Sequence, residues 1–159
     1  MKIFVALICA GSLIWSANVP ALTLSADDGP AREAALQWLQ IVDSGNYKDA
    51  ALMMSENVRG TRDWANYFAI HRAALGRVKH RQIAEVKHAS SVPGDHEVRQ
   101  HAIIRFKTSF ELPPSVRAGL AQGSGVASKP VAMEEVVLVK MGCCWEVAGY
   151  KISEKISDR

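Results

Sequence analysis

Few side chains in this sequence could move a proton, and they lie far apart along the chain. His71 is the natural base, with Asp43 or Asp63 to orient its ring and Tyr150 to donate a hydrogen bond. One imidazole or carboxylate base and one donor suffice to shift a proton beside a carbonyl. The competing role for His71 is that of a hydrogen-bonded histidine in or beside the core. Cys143 and Cys144 are adjacent thiols next to a turn at Gly142. Neighbouring strand residues point to opposite faces, so an ordinary disulfide between the two is awkward. Two small, partly buried thiols are the simplest reading, with a vicinal or an intermolecular bridge as alternatives. Without histidines at ligand spacing the pair is a poor zinc signal. The chain has no H-E-x-x-H, no G-x-S-x-G and no glycine-rich phosphate loop, so no metal, no cofactor and no assigned catalytic residue are expected.

The elements that must position these residues follow an α+β order. A first helix starts at Pro30 and ends at Asp43-Ser44-Gly45, with Ala31, Ala35, Trp38, Leu39 and Val42 as its apolar stripe. A second helix covers residues 47–55, with Ala50, Met53 and Met54 inward. Residues 56–60 read as a loop. Thr61 caps a third helix reaching Leu75, whose inward stripe is Trp64, Phe68, His71 and Leu75. Period-two patterning then takes over. Residues 78–89 form a strand with Lys79, Arg81 and Lys87 on one parity and His80 and His88 on the other. Residues 97–110 alternate, with Val98, Ala102, Ile104, Phe106 and Phe110 on one side and Arg99, His101, Arg105 and Lys107 on the other. The basic side suits an anionic partner, or is a solvated face balanced by Glu85, Glu97, Glu134 and Glu135. Residues 111–130, with their prolines, glycines and serines, read as a long flexible loop.

The last two strands, residues 131–152, form a hairpin central to a curved, mainly antiparallel four-stranded sheet on which three N-terminal helices pack. Trp145 and Val147 share one parity, whereas Tyr150 and Ile152 lie on the other. A bulge or bend at Gly149 reconciles them, glycine tolerating the required backbone angles.

Residues 1–26 carry one charge, Lys2, then the apolar run from Ile3 to Ala10 and small residues at Val19-Pro20-Ala21 and Leu24-Ser25-Ala26. This is the layout of a signal peptide cleaved near 21 or 26, giving a periplasmic or secreted protein. An uncleaved anchor is the alternative. Residues 27–156 then form a single domain, with 157–159 as a tail. The 159 residues carry a formal net charge of +3, which losing Lys2 lowers by one. That charge is too small to argue for nucleic acid, and no aromatic side chains interleave the basic ones.

Several spaced residues make a recognisable set. They are Ala35, Trp38-Leu39, Val42-Asp43, Gly45, Tyr47, Trp64, Arg72, Leu75-Gly76, Arg81, Pro93-Gly94, Glu134, Trp145, Val147, Gly149-Tyr150 and Ile152. The set resembles a bacterial exported family known as domain of unknown function 4019. That family is similar to the cystatin-like, SnoaL-like and nuclear-transport-factor-like cone folds, which include polyketide cyclases and ketosteroid isomerases. The sequence departs from the family pattern at Ala51, where a Trp is usual, and at Ala74, where a Pro is usual. The resemblance implies a cone with an apolar pocket, lined by Tyr47, Trp64, Tyr67, His71, Trp145 and Tyr150. It also groups Arg72 and Arg81 with Glu134, as arginine clamps on a carboxylate. No catalytic residue transfers from the family.

Three functions follow. One is a non-catalytic periplasmic module binding a small molecule or a protein. Another is an isomerase, dehydratase or cyclase using His71 and Tyr150. The third is a structural homodimer. Membrane contact is expected only through an uncleaved signal or the basic face.

Overall fold

A computed structural model describes residues 28–73, 75–90, 99–111 and 131–155. Four helices, α1 (Asp28–Asp43), α2 (Tyr47–Leu52), α3 (Glu56–Arg59) and α4 (Trp64–Ala73), precede four strands. These are β1 (Arg77–Ala89), β2 (His101–Glu111), β3 (Val131–Met141) and β4 (Cys144–Lys155). The strands form one antiparallel meander in the order β1-β2-β3-β4. The expected signal peptide, the 157–159 tail and most of the 111–130 loop lie outside the described residues.

Helix α1 lies against all four strands. Its buried residues Ala31, Ala35, Trp38, Leu39 and Val42 recur at helical spacing. They meet Ala102, Ile104, Phe106, Val136, Leu138 and Val147 from the sheet. Trp38 also ties α1 to α2, its indole N–H donating to the Ala50 carbonyl at 2.9 Å.

The helical half differs from the expected three helices. Residues 56–59 form a helical turn rather than a loop. Asp63, not Thr61, caps α4: its Oδ1 accepts the Asn66 N–H at 3.0 Å, whereas the Thr61 hydroxyl donates to the Val58 carbonyl. The inward stripe of α4 is Trp64, Phe68 and Arg72, so His71 falls on the exposed side. Met54 is buried, but Met53 is 55% exposed; both lie beyond the end of α2, where Met54 bridges Val147 on β4.

In the strands, three one-residue bulges among the described residues reset the alternation. Lys79 and Ala84 are extra in β1 relative to β2, and Ala148 is extra in β4 relative to β3. The last brings Val147 and Tyr150 onto one face, as the hairpin's apolar pattern requires. The extra residue is Ala148, and Gly149 itself pairs with Val137. Gly149 does not take a positive φ, so backbone freedom is not what it supplies. A Cβ there would sit 3.5 Å from the Val137 Cβ, in ordinary contact. The β3–β4 turn is two residues long. Gly142 has φ of 61° and Cys143 does not have a positive φ, the sign pattern of a type II′ hairpin.

Candidate functional site

Two inward positions of the sheet carry polar residues between apolar neighbours. Thr108 sits between Phe106 and Phe110 on β2, and Glu134 between Ala132 and Val136 on β3; both are fully buried. The first β1 bulge swings Arg81 onto the same inner face, opposite Thr108. Strict alternation would leave Arg81 outside with Lys79 and Lys87. Arg72 reaches in from α4, and Asp43, the last residue of α1, closes the outer end.

These residues form one network. Glu134 Oε2 accepts Arg81 Nε at 2.9 Å and a very short bond from the Thr108 hydroxyl, with Arg81 Nη2 in ion-pair contact at 2.8 Å. Oε1 accepts the Tyr150 hydroxyl at 2.7 Å, with Arg72 Nε at 3.7 Å, beyond hydrogen-bond reach. Asp43 accepts Arg81 at 2.6 and 3.0 Å and Arg72 Nη2 at 2.5 Å. The Arg72 guanidinium also lies 4.5 Å over the Phe110 ring. Exposure grades outward: Glu134 0%, Arg72 3%, Arg81 10% and the Asp43 side chain 22%. Two cations face two anions, so the buried charge balances, and each carboxylate is held by several donors.

The electrostatics favour a locked state. Burial works against the charge on Arg81, but hydrogen bonds to Asp43 and the charges of Glu134 and Asp43 outweigh it and raise its pKa. Burial, then the charge and hydrogen bond of Glu134, push the Tyr150 hydroxyl well above the usual range. Tyr150 therefore stays protonated and donates to Glu134.

Other expected site residues fall elsewhere. His71 is exposed, its ring 4.5 Å from that of Tyr67. Asp63 caps α4, and Asp43 serves the arginines. The trio of His71, an aspartate and Tyr150 does not converge in one buried pocket, because the inward turn of α4 belongs to Arg72. Trp64, Tyr67 and Tyr150 pack with Trp38 and Phe68, ring centroids 5.4 to 6.4 Å apart, in an aromatic cluster. Tyr47 is half-buried at its margin, 6.3 Å from Phe68. Trp145 is half-buried under Lys140, whose ammonium is 5.9 Å from the ring.

The basic face is a charge ladder. Arg105 bonds Glu135 at 2.7 Å and Glu85 at 2.8 Å, and Lys87 pairs with Glu85 at 2.8 Å. The hydrogen bond to Glu135 raises the Arg105 pKa, and that from Lys87 lowers the Glu85 pKa. His101, assigned to this face by parity, is buried, with Nδ1 3.0 Å from the Arg99 carbonyl oxygen. Glu134 faces the core and plays no part in the ladder. A further pair, His88 with the buried Asp28, ties β1 to the start of α1.

Thr108 and the Arg-binding role of Asp43 escape a reading by motif. Their signals are a hydroxyl on an apolar parity and a carboxylate at a helix end. The Asp43, Arg72, Arg81, Glu134 and Tyr150 positions all lie within residues 34–150. That stretch matches the family model described as protein of unknown function (DUF4019). The chain belongs to this family. No curated protein and no solved structure matches it. The family thus spans α1 through most of β4, and its matched stretch contains the whole ion network. Among the described residues no helix is long and apolar enough to cross a membrane. Nor do three or more His, Cys, Asp or Glu side chains gather in one place there.

Proposed function

We propose that this family member is an exported, non-catalytic module that binds a small molecule or a protein partner. The observation that carries the reading is the saturation of Glu134: Arg81, Thr108 and Tyr150 all donate to it, in a site without solvent access. A general base needs an accessible lone pair. The second support is a groove of about 640 Å³ between α2 and α4, lined by Tyr47, Lys48, Asp49, Asp63 and Asn66 among others. It offers one aromatic face and several polar groups, the mix that orients a small ligand. Helices packed on one face of an antiparallel meander also support kinship with the cystatin-like cone folds.

Export is part of the proposal, and its support is the 1–26 pattern alone. The intact mass of protein recovered from outside the cytoplasm should correspond to a start near Leu22 or Asp27. Retention of Met1 would oppose cleavage. Binding is tested by screening the purified protein against extracts and small-molecule sets, with amide exchange to map the footprint. Protection should centre on α2 and the start of α4. Folded Tyr150→Phe protein should bind as the parent does. Turnover of a bound compound, abolished by Tyr150→Phe, would replace this reading with the isomerase one.

A further inference from the structure

The hairpin tip holds a second constellation that the ion network does not use. Cys143 and Cys144 are both exposed and unbridged, with their sulfurs 2.8 Å apart. Two sulfurs this close can be spanned by one ion.

Direct closure into a disulfide is poorly suited to this backbone. Consecutive Cα atoms across a trans peptide are about 3.8 Å apart, below the ~4.4–6.8 Å that disulfides usually span. A bridging atom relaxes that demand. Two sulfurs sharing a tetrahedral ion at about 2.3 Å stand roughly 3.8 Å apart, so the thiols need only swing outward, with no covalent closure at 2 Å. Met141 is the cross-strand partner of Cys144 and is 40% exposed. Its thioether accepts a hydrogen bond from Arg99 at 3.5 Å, a bond that must be released for the sulfur to take an ion. The tip therefore offers two thiols and a thioether.

We propose that Cys143 and Cys144, with Met141 as a weaker third donor, bind one soft, thiophilic metal ion such as Cu(I). Sulfur ligation selects soft ions, whereas zinc normally demands four nitrogen, sulfur or oxygen ligands. On binding, the two S–H bonds give up their protons to solvent and two metal–sulfur bonds form, with no change in oxidation state.

The test uses the purified full-length protein, reduced and handled without oxygen. It is titrated with Cu(I) against a coloured Cu(I) chelator, and thiolate-to-copper absorption is followed in the ultraviolet. One ion per chain is expected. Cys143→Ser and Cys144→Ser should each weaken binding by more than about 100-fold, exceeding the 10–100-fold typical of an outer-shell loss. Met141→Leu should weaken it by about 10-fold. Zinc should not displace the copper. Circular dichroism checks that the variants are folded, which the exposed position of all three residues favours. The proposal is overturned if no stoichiometric ion is held, or if either serine variant binds as the parent does. It also fails if protein isolated without reductant carries a Cys143–Cys144 disulfide that persists under mild reduction and leaves no thiol to bind copper.

Discussion

Replacing Arg81 with Met should break the ion network where it is most buried. The change leaves Glu134, fully buried, with only the Thr108 and Tyr150 hydroxyls and a distant Arg72. Removing one partner of a buried pair costs about 3–5 kcal/mol, chiefly because the other charge is left uncompensated. Total stability for a domain of this kind is about 5–15 kcal/mol, so the variant should still fold, with an unfolding midpoint at clearly lower urea. Glu134→Gln should cost about 3 kcal/mol by the same reasoning. The double variant should cost less than the sum, with a coupling energy of about 3 kcal/mol, because neither charge then remains stranded. The parallel cycle with Arg72→Met should give a smaller coupling of about 1 kcal/mol, since Arg72 faces Glu134 across 3.7 Å without a hydrogen bond. Urea unfolding of the four proteins in each cycle supplies the numbers. Equal coupling in both cycles, or none in either, would refute the assignment of Arg81 as the principal clamp.

Three further outcomes follow from the same geometry. The raised pKa of Tyr150 means that its contribution is fully present below the unfolded tyrosine value of about 10 and is lost as pH climbs toward the folded one. Wild-type stability should therefore fall more steeply above about pH 10 than that of Tyr150→Phe; parallel pH profiles would contradict this. Asp63→Ala should destabilise by about 1 kcal/mol through loss of the α4 cap, measured by urea midpoint, whereas Thr61→Ala should change stability by less than about 0.5 kcal/mol. His71→Ala, at an exposed position, should stay within about 0.5 kcal/mol in stability and leave any ligand affinity intact.

Helix α1 and the hairpin were legible because their patterns are regular. Ala31 through Val42 keep one helical stripe, and Val147 and Tyr150 can share a face only if the strand carries an extra residue. The α4 stripe was misread because Arg72 looks like a surface residue. Its stem and charge are buried only because Asp43 comes from 29 positions earlier, a pairing no local window contains. The β1 face was misread for a different reason. Two inserted residues reverse the parity twice within 13 positions, and neither Lys79 nor Ala84 differs in type from an ordinary strand residue. The pairing of Arg81 with Glu134 was reachable through the family pattern, and Tyr150 as a donor from its residue type; the Thr108 hydroxyl that completes the set was visible only as a polar group on an apolar parity.

An open meander has two unpaired borders, and each invites another strand. Here one border is β4, where the Ser55 N–H already occupies the Val147 carbonyl at 2.8 Å and Met54 bridges the same residue. The other is β1, kinked at Lys79 and Ala84 and charged along its length. Kinks and charges of this kind deter strand-by-strand aggregation. Lys79 then has two duties that no substitution of its side chain would separate. Deleting the residue would straighten the border, making it easier to pair with a neighbour, and would turn Arg81 away from Glu134. Resistance to aggregation and the aim of the buried arginine are fixed by the same inserted peptide unit.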